Sequence, residues 1–317
     1  MINFINSILK DIFSPIKTYE NSSFAFVYSH KYNLQLGSHV FPAIKYEQLY
    51  NQICMDDEMS QIEVFHPEPC SREQLELVHT KNYLDDLYSL TMTDSTKFSE
   101  LPLNHSILET FLYGVGGTIL ATELTEKFDY VYNIGGGYHH SYPDHAEGFC
   151  YLNDVAVATK VYLEKNPDHK VLIIDLDVHQ GNGNSKIFQG DERVFTFSMH
   201  QENLYPKKEE SSLDIGLPDN CSDTLYLKQL DDALDDIYRV HKPQMIYYLA
   251  GADPYEDDRL GSLKITKYGL ISRDKKIKDF AVRTSSKAVI VTAGGYATNT
   301  SDTVMIHYQT AREFYRK

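Results

Sequence analysis

Two aspartates and a histidine alternate in Asp175-Leu-Asp-Val-His179, directly after the apolar run Val171 to Ile174. On an extended chain Asp175, Asp177 and His179 share one face. Two carboxylates and an imidazole crowded beside an apolar strand are costly unless something compensates their charge. A divalent cation does so. Mixed Asp and His donors suit Zn2+, whose catalytic sites take three protein ligands and keep one position open for water. Asp177 and His179 supply two ligands, and Asp253, after the run Met245 to Leu249, supplies the third. Asp175 then orients an imidazole or binds another cation. A helix cap or a turn would account for one such Asp, but less readily for two with a His and a further Asp downstream.

Two other strand ends add groups of complementary chemistry. His139 and His140 follow Gly135-Gly136-Gly137, and glycine permits the tight turn that lets adjacent residues face one cavity. Histidine titrates near neutrality, so a pair can divide its labour, one ring taking a proton while the other holds charge. Tyr296 follows Gly294-Gly295, which predicts a mobile phenol able to swing inward and donate a hydrogen bond to a developing oxyanion. Neither glycine cluster fits a dinucleotide or phosphate-loop pattern, no G-x-S-x-G elbow is present, and Cys150 has no special claim as a nucleophile.

The elements that must carry these residues are short apolar runs alternating with amphipathic stretches. Phe24 to Tyr28, Tyr130 to Ile134, Val171 to Ile174, Val194 to Phe197, Met245 to Leu249 and Ala288 to Val291 read as strands buried on both faces. Helices are expected over Ser71 to Leu90, opening on a Ser71/Gln74 capping box, and over Ser106 to Glu126, where Gly114, Gly116 and Gly117 suggest a close contact. Further helices are expected over Leu152 to Glu164, Thr224 to His241, Thr266 to Arg283 and Ser301 to Phe314. The alternation predicts one α/β domain, a mostly parallel sheet with helices on both faces. Ligands of such sheets bind beyond the carboxyl ends of the strands. Five of these strand ends, with Ser198-Met-His200 after Phe197 among them, bring His, Asp or Tyr to one edge.

The 317 residues are 42% hydrophobic, enough to bury a large core, and no repeat or linker divides them. A net charge of −15 disfavours nucleic acid and anionic membrane surfaces as partners and favours cationic ones. Four cysteines with no C-x-x-C pair read as reduced thiols, which predicts a cytoplasmic location, with export by a specialised route left open. No run is long enough to span a membrane, and the first ten residues lack a basic region and a cleavage site. Residues 1–22 place Ile2, Ile5, Leu9, Ile12 and Ile16 on one helical face, expected to pack on the body of the protein or on a partner.

Together these pieces resemble the zinc-dependent histone deacetylases and their bacterial amidohydrolase relatives. The resemblance is carried by Gly135-Gly-Gly-Tyr-His-His140, Gly148-Phe-Cys-Tyr-Leu-Asn-Asp154, Asp175-Leu-Asp-Val-His-Gln-Gly-Asn182, Ser198-Met-His200, Ala250-Gly-Ala-Asp253 and Gly294-Gly-Tyr296, in the family's order. Asp253 to Gly261, Asp214 to Pro218 and Gly116-Gly-Thr118 look most like the class IV branch. The resemblance implies the arginase-deacetylase fold over residues 23–317 and hydrolysis of N-ε-acyl-lysine amides in proteins or peptides, histones among them. It implies Zn2+ on Asp177, His179 and Asp253, His140 as general base and then acid, His139 with Asp175 as electrostatic support, and Tyr296 on the carbonyl. It makes Asn182 the partner of the second histidine, a position where many members carry Asp. It assigns substrate contacts to the Gly148 carbonyl, Phe149, Tyr205 and Leu260, and a structural K+ to Asp175, Asp177, His179, Ser198 and Met199. An acetylpolyamine amidohydrolase shares this chemistry. An arginase-type two-metal cluster needs more aspartates than Ala250-Gly-Ala-Asp253 offers, and an inactive acyl-lysine binding module would be expected to lack Tyr296 or a catalytic His.

Overall fold

The computed structural model describes residues 23–34, 36–37 and 39–316. The expected amphipathic segment 1–22 lies outside them. Among the described residues eight parallel strands form one sheet: β1 (Phe24–Val27), β2 (Val64–Phe65), β3 (Tyr130–Asn133), β4 (Val171–Asp175), β5 (Val194–Gln201), β6 (Leu213–Leu217), β7 (Met245–Leu249) and β8 (Lys287–Val291). Their order is β2-β1-β3-β8-β7-β4-β5-β6. The six expected strands are present. The inner ones are apolar along their whole length because helices cover both faces, and β4, β7 and β8 from Ala288 onward are buried throughout.

One group of helices packs together on one side: α1 (Ile44–Cys54), α7 (Asp223–Val240), α8 (Lys267–Thr284) and α9 (Thr300–Tyr315). The others, α2 (Arg72–Leu75), α3 (Lys81–Tyr88), α4 (His105–Leu124), α5 (Asp154–Lys165) and α6 (Asn182–Phe188), complete the fold; of these α2, α4 and α6 pack around α5. The glycines of α4 are close-approach positions as expected. A Cβ on Gly116 would strike the Glu68 carbonyl, and one on Gly117 the Tyr32 hydroxyl. No helix among the described residues is long and apolar enough to cross a membrane, and the four cysteines are free thiols.

Four adjacent strands end level. Asn133 pairs with Val291, Val291 with Leu249, and Leu249 with Asp175, so the loops after β3, β8, β7 and β4 leave the sheet side by side. These loops carry His139 and His140, Tyr296, Asp253, and Asp177 with His179.

The structure corrects several expectations. β6 and the two-residue β2 were not expected, nor were α1 and α6. The latter two begin without a side-chain cap, so no N-cap signal announces them. β5 runs on to Gln201, so Ser198, Met199 and His200 lie within the strand and not after it. The single helix expected over Ser71 to Leu90 is two. The Ser71/Gln74 box starts α2, and Thr80 caps α3. Between them the Thr80 N–H donates to the Pro143 carbonyl at 2.8 Å. The His79 ring is buried between the Tyr142 carbonyl (Nδ1, 3.0 Å) and the Asn153 N–H (Nε2, 3.1 Å).

These partners give His79 a proton on Nδ1 and a lone pair on Nε2, so the ring is neutral. Burial lowers its pKa from 6.5 to about 4. Below pH 6.5 the unfolded chain binds a proton that the fold refuses, so stability is lost as pH falls from 6.5 towards 4. At pH 4.5 the cost is about 3 kcal/mol. Urea unfolding of wild type and His79→Gln at pH 7 and pH 4.5 checks this: acidification should cost the variant about 2–3 kcal/mol less. Equal losses would remove His79 as the cause.

Candidate functional site

The loop after β4 does not continue the strand, so the alternation that suggested one face for Asp175, Asp177 and His179 ends at Asp175. The turn separates them. Asp175 Oδ2 lies 2.7 Å from His139 Nδ1, and its Oδ1 accepts the Asp177 N–H at 3.2 Å. Asp177 and His179 turn towards Asp253, with His179 Nδ1 3.1 Å from Asp177 Oδ1 and 3.6 Å from Asp253 Oδ2. Donor atoms of Asp177, His179 and Asp253, all buried, lie within 4.8 Å of one another. Backbone donors aim the carboxylates. The Val178 N–H holds Asp253 Oδ1 at 2.9 Å, the Gly294 N–H holds Asp177 Oδ2 at 2.8 Å, and the His179 N–H holds Asp177 Oδ1 at 2.9 Å.

This donor set fits a divalent cation. Asp253 Oδ2 is buried with no hydrogen-bond partner among the described residues. Burial, reinforced by the Asp177 charge, pushes the Asp253 carboxyl up to about 7. Against its own burial, His179 is pulled up to about 10 by Asp177 and Asp253. Two buried carboxylates on one imidazole hold more negative charge than the site accommodates, which a cation on the three donors relieves. Gly294 allows the approach, since a Cβ there would meet both carboxylates. Mobility is therefore not the office of Gly294-Gly295. Tyr296 is buried and its backbone is held at both ends: Asp258 Oδ2 accepts its N–H at 2.7 Å, and its carbonyl accepts the Arg259 Nε–H at 3.0 Å.

The two histidines of the β3 loop sit 4.0 Å apart, ring to ring, with different partners. Asp175 and Asp177 overcome the burial penalty on His139 and raise it to about 9. Burial, then the His139 and His179 charges, holds His140 well below the usual range. His140 Nδ1 lies 2.7 Å from Asn182 Oδ1, and the Asn182 amide donates onward to the Tyr142 hydroxyl at 3.1 Å. An amide oxygen accepts from Nδ1–H and leaves Nε2 with a lone pair. The pair therefore presents one charged ring and one neutral base.

A cavity of about 260 Å3 opens onto this group and is lined by His139, His140, Asp177, His179, Tyr296, Gly148, Phe149, Tyr205 and Leu260 among others. Gly148 (φ +48°) and Phe149 (φ +63°) are both left-handed. A Cβ on Gly148 would crowd the His140 ring and lie 2.9 Å from the Tyr205 hydroxyl. The Tyr205 ring stands 5.5 Å from that of His140, and its hydroxyl donates to Glu147 at 2.9 Å. Phe149 stands 6.2 Å from Tyr296. Of the five residues read as a potassium site, Asp175 and Ser198 pair in register across β4 and β5, and Ser198 Oγ is 2.9 Å from His200 Nδ1. Burial raises the Cys150 thiol well above its usual range, which keeps it protonated.

Three residues near the site escaped the sequence reading. Lys45, on α1, is buried; its Nζ donates to the Ala293 carbonyl at 2.7 Å and lies 5.6 Å from the Tyr296 ring centre. Asp154 accepts the Gly137 and Tyr138 N–H groups at 3.0 and 2.7 Å and so fixes the turn that delivers the histidines. Asp258 is the third. None shows periodicity; Asp154, at the head of an expected helix beside Asn153, and Asp258, within the Asp253 to Gly261 stretch, had a local signal, but neither pointed to its role.

A parallel α/β sheet sets a buried Asp-His-Asp cluster that could hold a metal ion beside a cavity lined by a neutral imidazole and a phenol, groups that suit a hydrolase. Comparison with known proteins agrees. The histone deacetylase domain model matches residues 39–311. An uncharacterised protein of Picosynechococcus sp. is 37% identical over 282 residues, covering 87% of this chain and 94% of its own. Histone deacetylase 2 of Arabidopsis thaliana is 31% identical, covering 87% and 75%, and a probable deacetylase of Archaeoglobus fulgidus is 29% identical, covering 76% and 71%. The chain belongs to the histone deacetylase family and carries its hydrolase domain on an arginase-deacetylase fold.

Asp253→Asn separates metal binding from stability. The amide keeps the Oδ1 that accepts from Val178 but removes a buried charge facing Asp177. Metal-free variant should be at least as stable as metal-free wild type, by up to about 1–2 kcal/mol in urea with chelator, while binding zinc at least tenfold more weakly by titration. Unchanged zinc affinity would remove Asp253 from the ligand set.

Proposed function

We propose that this protein is a zinc-dependent lysine deacylase that hydrolyses N-ε-acyl-lysine amides in proteins or peptides, histones among them, in the manner of the class IV branch. The observation that carries the reading is the Asp177-His179-Asp253 cluster, two of whose members line one cavity with a neutral His140 and the Tyr296 phenol. Asp177, His179 and Asp253 would hold one zinc ion, which supplies a water of lowered pKa and a polarised acyl carbonyl. His140 would accept a proton from the attacking water on Nε2, with Asn182 Oδ1 accepting from Nδ1–H of the resulting imidazolium. Carbon–oxygen bond formation puts charge on the carbonyl oxygen, which Tyr296 stabilises by donating its phenol hydrogen. His140 then protonates the lysine nitrogen as the carbon–nitrogen bond breaks, leaving a carboxylate and a free amine. His139, kept charged by Asp175, supplies positive potential beside the developing negative charge. The Gly148 carbonyl accepts the substrate amide N–H, while Phe149, Tyr205 and Leu260 enclose the alkyl chain. A potassium ion on Asp175, Asp177, His179, Ser198 and Met199, mostly through backbone oxygens, would hold the β4 turn.

Support for a peptide substrate comes from the cavity mouth. It shares Glu100 and Tyr205 with an open groove of about 650 Å3, where Asp94, Asp144, Glu147 and Glu209 outnumber Lys207 and His145. Such a groove suits basic residues flanking the modified lysine and is larger than a short polyamine fills. The free thiols support a cytoplasmic location for this activity.

Zinc-loaded protein incubated with acetyl- to long-acyl-lysine peptides and with acetylpolyamines tests the reading. Peptides should be turned over faster than polyamines. His140→Ala should lose about a thousandfold in kcat and Tyr296→Phe about a hundredfold, both retaining zinc. Faster polyamine turnover would establish the small-amine hydrolase instead, and binding without turnover would establish an acyl-lysine binding module.

A further inference from the structure

Tyr296 follows Ala293-Gly294-Gly295, a stretch whose φ angles at Ala293 (+53°) and Gly295 (+143°) leave the favoured regions. Such a backbone has many alternatives, so its conformation must be imposed from outside. Lys45 and Asp177 hold Ala293 and Gly294, and the neighbouring pair Asp258-Arg259 holds Tyr296 itself. Asp258 Oδ2 accepts the Tyr296 N–H at 2.7 Å, and its other oxygen accepts the Leu260 N–H at 2.8 Å. Arg259 donates to the Tyr296 carbonyl from its backbone N–H at 3.3 Å and from Nε at 3.0 Å, and from Nη2 to the Val40 carbonyl at 3.3 Å. An antiparallel bridge between Asp258 and Ala297 aligns the two segments. Two adjacent side chains thus gather backbone groups from three separate segments: the one before Phe41, the tunnel wall, and the loop after β8.

We propose that Asp258, assisted by Arg259, is the positioning residue of this site: one carboxylate holds the oxyanion donor Tyr296 and the tunnel wall Leu260 in a single frame. The role given to Tyr296 rests on the deacylase reading; the frame itself does not. A carboxylate is required because both oxygens must accept. An amide offers one acceptor and turns an N–H toward the other donor.

Asp258→Asn in the full-length, zinc-loaded protein tests this in two ways. Amide hydrogen exchange at Leu260 and Tyr296 should accelerate at least tenfold, while Val178 and Gly294, held by Asp253 and Asp177, stay unchanged. Unchanged exchange at Leu260 and Tyr296, or equal acceleration at all four, would overturn the frame. In deacylation, Asp258→Asn should lose about a hundredfold in kcat but less than about threefold in a Tyr296→Phe background, because the two act through one group. Equal losses in both backgrounds would overturn the link to Tyr296. If Asp258→Asn does not fold, Arg259→Gln on its exposed residue should lose about tenfold in wild type and nothing in the Tyr296→Phe background. Equal losses there would again overturn the link. If wild type turns over no acylated substrate, the deacylase reading falls, and the exchange measurement still decides the frame.

Discussion

Two carboxylates and an imidazole share one buried point at the carboxyl edge of the sheet, and the rest of the site is arranged around that electrostatic imbalance. Asp177 and Asp253 cannot both be ionised, buried and close without a cation or a borrowed proton. Three backbone N–H groups from two loops aim their oxygens at the same space, so the repulsion is built in and not relaxed away. Level strand ends make this possible: Asp175, Leu249, Val291 and Asn133 finish in one row, and the loops they release meet within a few residues.

The same imbalance sorts the two histidines. His139 faces Asp175 and, more distantly, Asp177, and so carries charge. His140 faces the neutral Asn182 amide and lies beside the charged His139, and so does not. Nearby carboxylates make one ring a fixed charge, while burial and that neighbouring charge keep the other a base. The polar relay behind Asn182, through Tyr142 to Glu209, ends at the groove that adjoins the cavity mouth. Surface charge near that mouth is therefore linked to the base by side chains in contact, without any movement of the sheet.

Much of the fold was legible because inner parallel strands are apolar on both faces and stand out from amphipathic helices. The edge was less legible. β6 alternates polar and apolar residues as Leu-Asp-Ile-Gly-Leu, and β2 is two residues long, so neither presents an apolar run. The break after α2 comes from His79 and Thr80 bonding to a loop more than sixty residues away, which no local pattern reveals. In the site, Asp177, His179, Asp253, His139, His140 and Tyr296 were found as chemistry at strand ends. They do converge, although the extended-chain argument fails beyond Asp175 and the expected mobility of Tyr296 is replaced by a clamp. Lys45, Asp154 and Asp258 act through contacts with distant backbone, and such contacts have no signature in sequence spacing.

The most direct test of the central claim is anomalous diffraction at the zinc edge from crystals grown with zinc. One peak about 2.0–2.2 Å from an oxygen of Asp177, a ring nitrogen of His179 and an oxygen of Asp253 is the predicted result. No peak at that point, or a peak held by other side chains while these three stay apart, would contradict the account.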